Sequence, residues 1–262
     1  MRKLFTLLGA MAITFSAFAG EILMGTTTSL DNTGFLKIVK EKLKEEKGID
    51  LNWIARGTGE ALALGKRGDV DVLFVHDKKR EQQFIADGYG TKRHELMYNY
   101  FVLVTTEDND ISTFPKDLNS AMTKIAKENL IFVSRGDNSG THSKEKSVWK
   151  AVNITPNFSN YKSAGTGMGK TLNMTSELGG YTISDYGTFE TLKNKFGLKN
   201  IPLSGKESLK NTYSIVELSN VDPSKKADIQ TFIEFMNSPE MLTIIDNYGK
   251  NTIGTNLFFR DK

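Results

Sequence analysis

The sequence contains no cysteine at all. Disulfides are therefore excluded as a source of stability, and so is a lipid anchor built on an amino-terminal cysteine. A large charge excess is missing too: 34 basic side chains face 31 acidic ones, a formal net charge of +3. Removing Arg2 and Lys3 with a leader brings the balance close to neutral. A nucleic-acid partner normally leaves a strong basic excess, so none is expected. Any anion would have to be attracted locally, by a few aimed groups. Histidine is scarce. His76, His94 and His142 lack regular metal-ligand spacing, and no metal bound directly by side chains is expected. Neither a G-x-S-x-G elbow nor a cysteine nucleophile occurs, which removes the commonest hydrolase signatures and leaves no visible enzyme. Beyond the amino terminus, no run is apolar for long enough to span a bilayer.

Residues 1–19 read as a cleavable signal peptide. Arg2 and Lys3 give a positive start, residues 4–18 are mostly apolar, and Ala17-Phe18-Ala19 forms an A-x-A-like cleavage site. Export and free diffusion in a bacterial periplasm follow as expectations. The remaining chain is long enough to bury a large core without crosslinks.

Strand-like and helix-like stretches alternate. Residues 21–24 form a short apolar run, and Phe35, Leu36, Ile38, Val39 and Leu43 then recur at helical spacing. Strands are predicted over 49–55, 70–75, 98–105, 130–133 and 213–218. Ser238 and Pro239 read as the N-cap and first residue of a closing helix. This βαβ rhythm predicts an α/β fold of two lobes, each a mostly parallel sheet flanked by helices, with ligand loops at strand ends. The expected division is 20–105 for the first lobe, 106–210 for the second and 211–262 for a segment returning to the first. A cleft between them follows.

Five segments rich in hydroxyls and glycine stand near predicted helix starts, where free amides hold oxyanions. In Gly25-Thr26-Thr27-Thr28-Ser29, one hydroxyl would suffice to cap a helix, yet four occur in a row. Gly57-Thr58-Gly59 lets backbone amides approach a ligand closely, although alone it is an ordinary turn. Arg56 beside it could supply charge or face solvent. In the segment 134–141, Arg135 follows a strand directly, and Ser139-Gly140-Thr141 opens a helix. Arg135 can present a planar fork to two ligand oxygens. Asp137 next to it could form a local salt bridge or orient the guanidinium from behind. Ala164 to Thr171 reads A-G-T-G-M-G-K-T, close to a phosphate-binding loop that would make the chain a P-loop NTPase using Lys170. The polar stretch 157–163 before it lacks a buried strand, which argues against that reading. The fifth segment runs from Gly180 to Asp185. His76-Asp77 ends a strand and could reach the cleft, but reads by default as a surface polar pair, and Trp53 and Trp149 as core or cleft walls.

Thr26-Thr27-Thr28-Ser29 and the string from Ser134 to His142 resemble the signature segments of Tup-type tungstate-binding proteins, periplasmic receptors of ABC importers. The likeness extends to residues 55–61 and 181–187 and covers essentially the whole mature chain. It implies a type II periplasmic-binding-protein fold that closes on one oxyanion, tungstate or molybdate, and passes it to a membrane permease. The implied anion-binding residues are Thr27, Thr28, Ser29, Thr58, Arg135, Ser139 and Thr141. A monomer without a cofactor is expected. Phosphate receptors share the Arg…Ser-Gly-Thr cluster, so a phosphate-type receptor is the alternative. Tungstate carries no proton near neutral pH, and a site for it offers donors rather than ionised carboxylates.

Overall fold

The computed structural model describes residues 20–260, so the signal-peptide reading of residues 1–19 lies outside the described residues. Strand β1 (Glu21–Thr27) runs straight into the short helix α1 (Thr28–Asn32), because Thr27 stops being strand and becomes the N-cap. Its hydroxyl accepts from the Leu30 amide at 3.3 Å. Helix α2 (Phe35–Lys47) buries Phe35, Leu36, Val39 and Leu43 on one stripe and ends at Gly48 in the left-handed region. The alternation continues through β2 (Asp50–Arg56), α3 (Thr58–Arg67), β3 (Val72–Val75) and α4 (Lys78–Ala86). Then comes a 17-residue strand, β4 (Gly90–Thr106).

A second series follows: α5 (Leu118–Lys127), β5 (Phe132–Ser134), α6 (Gly140–Ala151), β6 (Tyr161–Ser163), α7 (Met168–Glu177), β7 (Tyr181–Asp185), α8 (Tyr186–Phe196), β8 (Leu198–Ile201) and α9 (Lys206–Leu209). The chain returns along β9 (Lys210–Leu218) and closes with α10 (Lys226–Met236), α11 (Pro239–Asn247) and β10 (Phe259–Arg260). As the sequence predicts, Ser238 caps α11, accepting from the Met241 amide at 3.3 Å.

The strands form one sheet in the order β2-β1-β3-β9-β4-β7-β5-β6, with β8 and β10 also on β4. Pairing is parallel from β1 to β2 and β3, and from β5 to β6 and β7. Antiparallel pairing enters through β4 and β9, the two strands that join the halves. Up to Tyr100, β4 pairs with β9, where Tyr100 faces Lys210. From Phe101 onward it pairs with β7 and β8. The chain thus passes from one half to the other inside a continuous strand, and the expected boundary at 105–106 lies in that same strand.

Each half is covered on both faces. Phe35, Val39 and Leu43 of α2 pack with Phe232 and Ile233 of α10 on one side of the first half, and Ala61, Leu62 and Phe84 on the other. In the second half, Met122, Ile125 and Trp149 cover one side, and Met168, Leu172 and Phe189 the other. Parallel pairing brings the ends of β1, β2 and β3 to one edge, and those of β5 and β7 to another. Those ends, and the helix starts that follow them, face each other across the halves.

Candidate functional site

Arg135 lies at the centre, just past the end of β5, with only 2% of its surface exposed. Its Nε donates to Asp137 Oδ2 at 2.9 Å and to the Thr166 carbonyl at 2.7 Å. Its Nη2 lies 2.8 Å from Asp137 Oδ2 and donates to Thr28 Oγ1 at 3.2 Å, from the other half of the molecule. Asp137 Oδ1 accepts from the Ser139 amide at 3.0 Å. Both oxygens of Asp137 are therefore engaged, and the carboxylate holds the guanidinium from behind. Burial pulls the Arg135 pKa below its usual value, while Asp137 and Asp185 act in the opposite sense; a guanidinium stays charged under such a shift.

The backbone under Arg135 is shaped for this. Gly136 (φ 67°) and Asn138 (φ 58°) both take left-handed conformations, so the loop turns sharply into α6. A Cβ on Gly136 would collide with the Ser163 hydroxyl. Glu145, 1% exposed, accepts from Ser134 Oγ at 3.0 Å, the Arg135 amide at 3.1 Å, Trp149 Nε1 at 3.3 Å and Tyr161 OH at 2.7 Å. This buried carboxylate fixes the strand end that carries Arg135. Its four donors account for its charge in the interior.

The other residues singled out in the sequence gather around the same point. Thr27 caps α1 and lies 3.1 Å from Ser29 Oγ. Thr58, fully buried at the start of α3, accepts from the Gly140 amide at 3.0 Å across the halves. Ser139 caps α6, accepting from the His142 amide at 3.3 Å. Thr141 is 1% exposed, and its hydroxyl has no hydrogen-bond partner among the described residues. Arg80 reaches across to the Asn138 carbonyl, and Thr188 Oγ1 donates to the Ser29 carbonyl at 3.3 Å. Helix starts leave amides without intrahelical partners, so α1, α3 and α6 bring polarised donors to one place.

Arg56 faces solvent, its Nη1 bonded to the neighbouring Ala55 carbonyl at 2.9 Å. His76 is no surface group: it is 5% exposed and bonds to Ser29 Oγ and Asn211 Oδ1, both at 2.9 Å. Asp77 beside it caps α4. Trp149 is core, and Trp53 donates to Asp31 Oδ1 at 2.8 Å. His94 is bound to Glu217 on β9, and no group of three or more potential metal ligands occurs among the described residues. The fifth segment is itself strand β7, and only Asp185 reaches a helix start, as the N-cap of α8.

The phosphate-loop-like stretch has a different use. It follows a three-residue edge strand, the Thr171 hydroxyl donates back to the Gly167 carbonyl at 3.2 Å, and the Thr166 carbonyl receives Arg135. Lys170 lies exposed on α7. We expect Lys170→Ala to leave thermal melts unchanged with and without ATP and magnesium; a nucleotide-dependent shift lost in that variant would restore the NTPase reading.

Residues 14–240 match the family model described as a PBP superfamily domain. The tungstate-binding protein TupA of Peptoclostridium acidaminophilum is 38% identical over 247 residues, covering 91% of this chain and 85% of that protein. TupA of Campylobacter jejuni is 36% identical over 227 residues, covering 84% of each chain. The solved structure of TupA from Desulfovibrio alaskensis G20 superposes with a TM-score of 0.76 at 37% identity, covering 93% of this chain and 99% of that one. The crystal structure of the tungstate ABC transporter from Geobacter sulfurreducens gives the same TM-score and identity, over 87% and 98%. The chain belongs to the Tup-type solute-binding proteins of the PBP superfamily.

Proposed function

We propose that this protein captures tungstate between its two halves and delivers it to the permease of an ABC importer. It is a receptor and not an enzyme. The observation that carries the reading is Arg135: a buried guanidinium braced by Asp137 and the Thr166 carbonyl, at the meeting point of three helix starts from both halves. Family membership supports tungstate as the cargo, with molybdate, of nearly the same size and charge, as its closest competitor.

Thr27, Thr28, Ser29, Thr58, Arg135, Ser139 and Thr141 are proposed as the anion-binding set, through hydroxyls, helix-start amides or both. One guanidinium does not balance a dianion, so amide dipoles must carry the rest. Hydroxyls and amides can turn donors toward a proton-free ligand, whereas an ionised carboxylate only accepts. Arg135 and the Ser139 amide occupy Asp137, which removes that carboxylate as an acceptor for the proton of monohydrogen phosphate. Contacts from both halves make the ligand a reason for closure, because it gains most in the closed state. We place the pivots where β4 passes from β9 to β7 and where β9 begins, near 100–101 and 209–210. A periplasmic monomer released from its signal peptide, without a resident cofactor, completes the proposal.

A melt series with tungstate, molybdate, sulfate, phosphate and ATP tests it. At a hundredfold excess over Kd the ligand adds about 2.7 kcal/mol, roughly 5–10 °C for a chain of this size. Tungstate and molybdate are expected to produce the shift; a shift with phosphate alone would replace the reading with the phosphate receptor.

A further inference from the structure

Ser29 is connected to the joining strands by an unbroken buried chain of polar groups. Its Oγ lies 2.9 Å from His76 Nε2, and His76 Nδ1 lies 2.9 Å from Asn211 Oδ1 on β9. Asn211 Nδ2 in turn donates to Asn99 Oδ1 on β4 at 2.8 Å. Every member is at most 5% exposed, and the imidazole lies on the Tyr213 ring at a centroid distance of 4.6 Å.

Asn99 Oδ1 accepts one proton of the Asn211 amide, and Asn211 presents its oxygen to His76. An amide oxygen only accepts, so Nδ1 carries the imidazole proton. A neutral His76 then has a bare Nε2, which accepts the Ser29 hydroxyl proton and draws it away from the anion site. In that state the Ser29 oxygen offers an anion only lone pairs. A doubly protonated His76 donates to Ser29 Oγ instead, and the Ser29 O–H can turn toward the anion or toward Thr27 Oγ1, 3.1 Å away.

We propose that His76 is a positioning residue that releases the Ser29 hydroxyl to the bound oxyanion by taking up one proton from solvent. The inference rests on the reading of Ser29 as part of the anion site. The charges around His76 fit such a switch. Asp185, at the junction of β7 and α8, and Asp77, on its own loop, favour the imidazolium; Arg135, from the β5–α6 loop, opposes it. Lys78 and Lys79 of α4, Lys144 of α6 and Lys210 of β9 border a pocket that His76 also lines, and their positive charge opposes it too. Burial is the largest influence and holds the pKa below the usual histidine value, so the ring is neutral near pH 7 before an anion arrives. A dianion beside it adds two negative charges and favours uptake.

Calorimetric titration of the whole mature protein with tungstate, in buffers of different ionisation enthalpy at one pH near 7, measures the uptake. The wild-type protein is expected to take up a substantial fraction of a proton per anion, with affinity rising by up to tenfold per unit as pH falls from about 8 to 6. His76→Gln keeps an amide that can donate to Ser29, so it is expected to bind with no proton uptake and a flat pH profile. Binding without buffer-dependent heat in the wild-type protein overturns the proposal; it would mean that both amides are turned the other way and His76 donates through Nε2 without gaining a proton. Uptake that survives in His76→Gln overturns it as well. Absence of any tungstate heat would instead overturn the anion site on which it rests. The wild-type measurement decides the matter even if the variant fails to fold.

Discussion

Arg135→Ala is expected to abolish tungstate-induced stabilisation and to weaken binding at least a hundredfold. Removing one partner of a desolvated charge pair costs about 2–5 kcal/mol or more, and the guanidinium is the one cation among the seven proposed binding residues. The substitution also strips Asp137 of its two bonds from Arg135, at 2.9 and 2.8 Å. A buried carboxylate without its partner destabilises the fold by roughly 3–5 kcal/mol, less here because Asp137 keeps 15% exposure and its bond to the Ser139 amide. The double variant Arg135→Ala/Asp137→Asn separates the two effects. It should regain thermal stability while still failing to bind. Arg135→Lys keeps the charge but loses the fork that meets Asp137, Thr166 and Thr28 together, so partial binding is expected. Unchanged titration heat in Arg135→Ala with the fold intact would remove Arg135 from the site.

The second large effect is expected at Gly140. A Cβ built there meets His76 Cε1 at 3.1 Å, His76 Nδ1 at 3.2 Å and Thr58 Oγ1 at 3.2 Å, all from the opposite half. Glycine is present because the halves approach to backbone distance, and its own φ lies outside the left-handed region. Gly140→Val therefore leaves α6 intact and acts on closure alone. Overpacking of about 1–3 kcal/mol applied to the closed state weakens tungstate binding by roughly 5- to 150-fold. A melting temperature without ligand that changes little would place the effect in closure and not in the fold. Calorimetry on Gly140→Val with wild-type affinity would show that binding does not require this contact.

Much of this arrangement can be read from the sequence because local chemistry carries it. The hydroxyl runs at 26–29 and 134–141 lie where a strand must end and a helix must be capped, and Arg135 follows its strand without an intervening residue. Long-range features are different. Asn211 lies 135 positions from His76, and only the antiparallel pairing of β9 with β3 and β4 brings the two together. Nothing near His76 in the sequence marks it as buried, since His-Asp before a helix is also good surface capping. The clue available was its position at the end of β3, equivalent to the strand ends that carry Thr27 and Arg135. Strand β4 shows the same limit: strand is predicted only from residue 98, because Thr91, Lys92, Arg93 and Glu95 give no apolar run, yet the part before it pairs with β9. The sharpest motif by spacing, 164–171, turned out to supply a carbonyl to Arg135, because a motif without its preceding buried strand has no frame to hold phosphate.

The way β4 and β9 lie side by side has a consequence for engineering. The second half, residues 101–209, leaves and rejoins the first on neighbouring strands where Tyr100 faces Lys210, so its two ends lie about 5 Å apart. It is connected like a cassette. Exchanging that cassette between relatives would move the Arg135 loop as a unit against a constant Thr28 and Thr58 wall, and chimaeras of this kind would separate the contribution of each wall to the choice of anion.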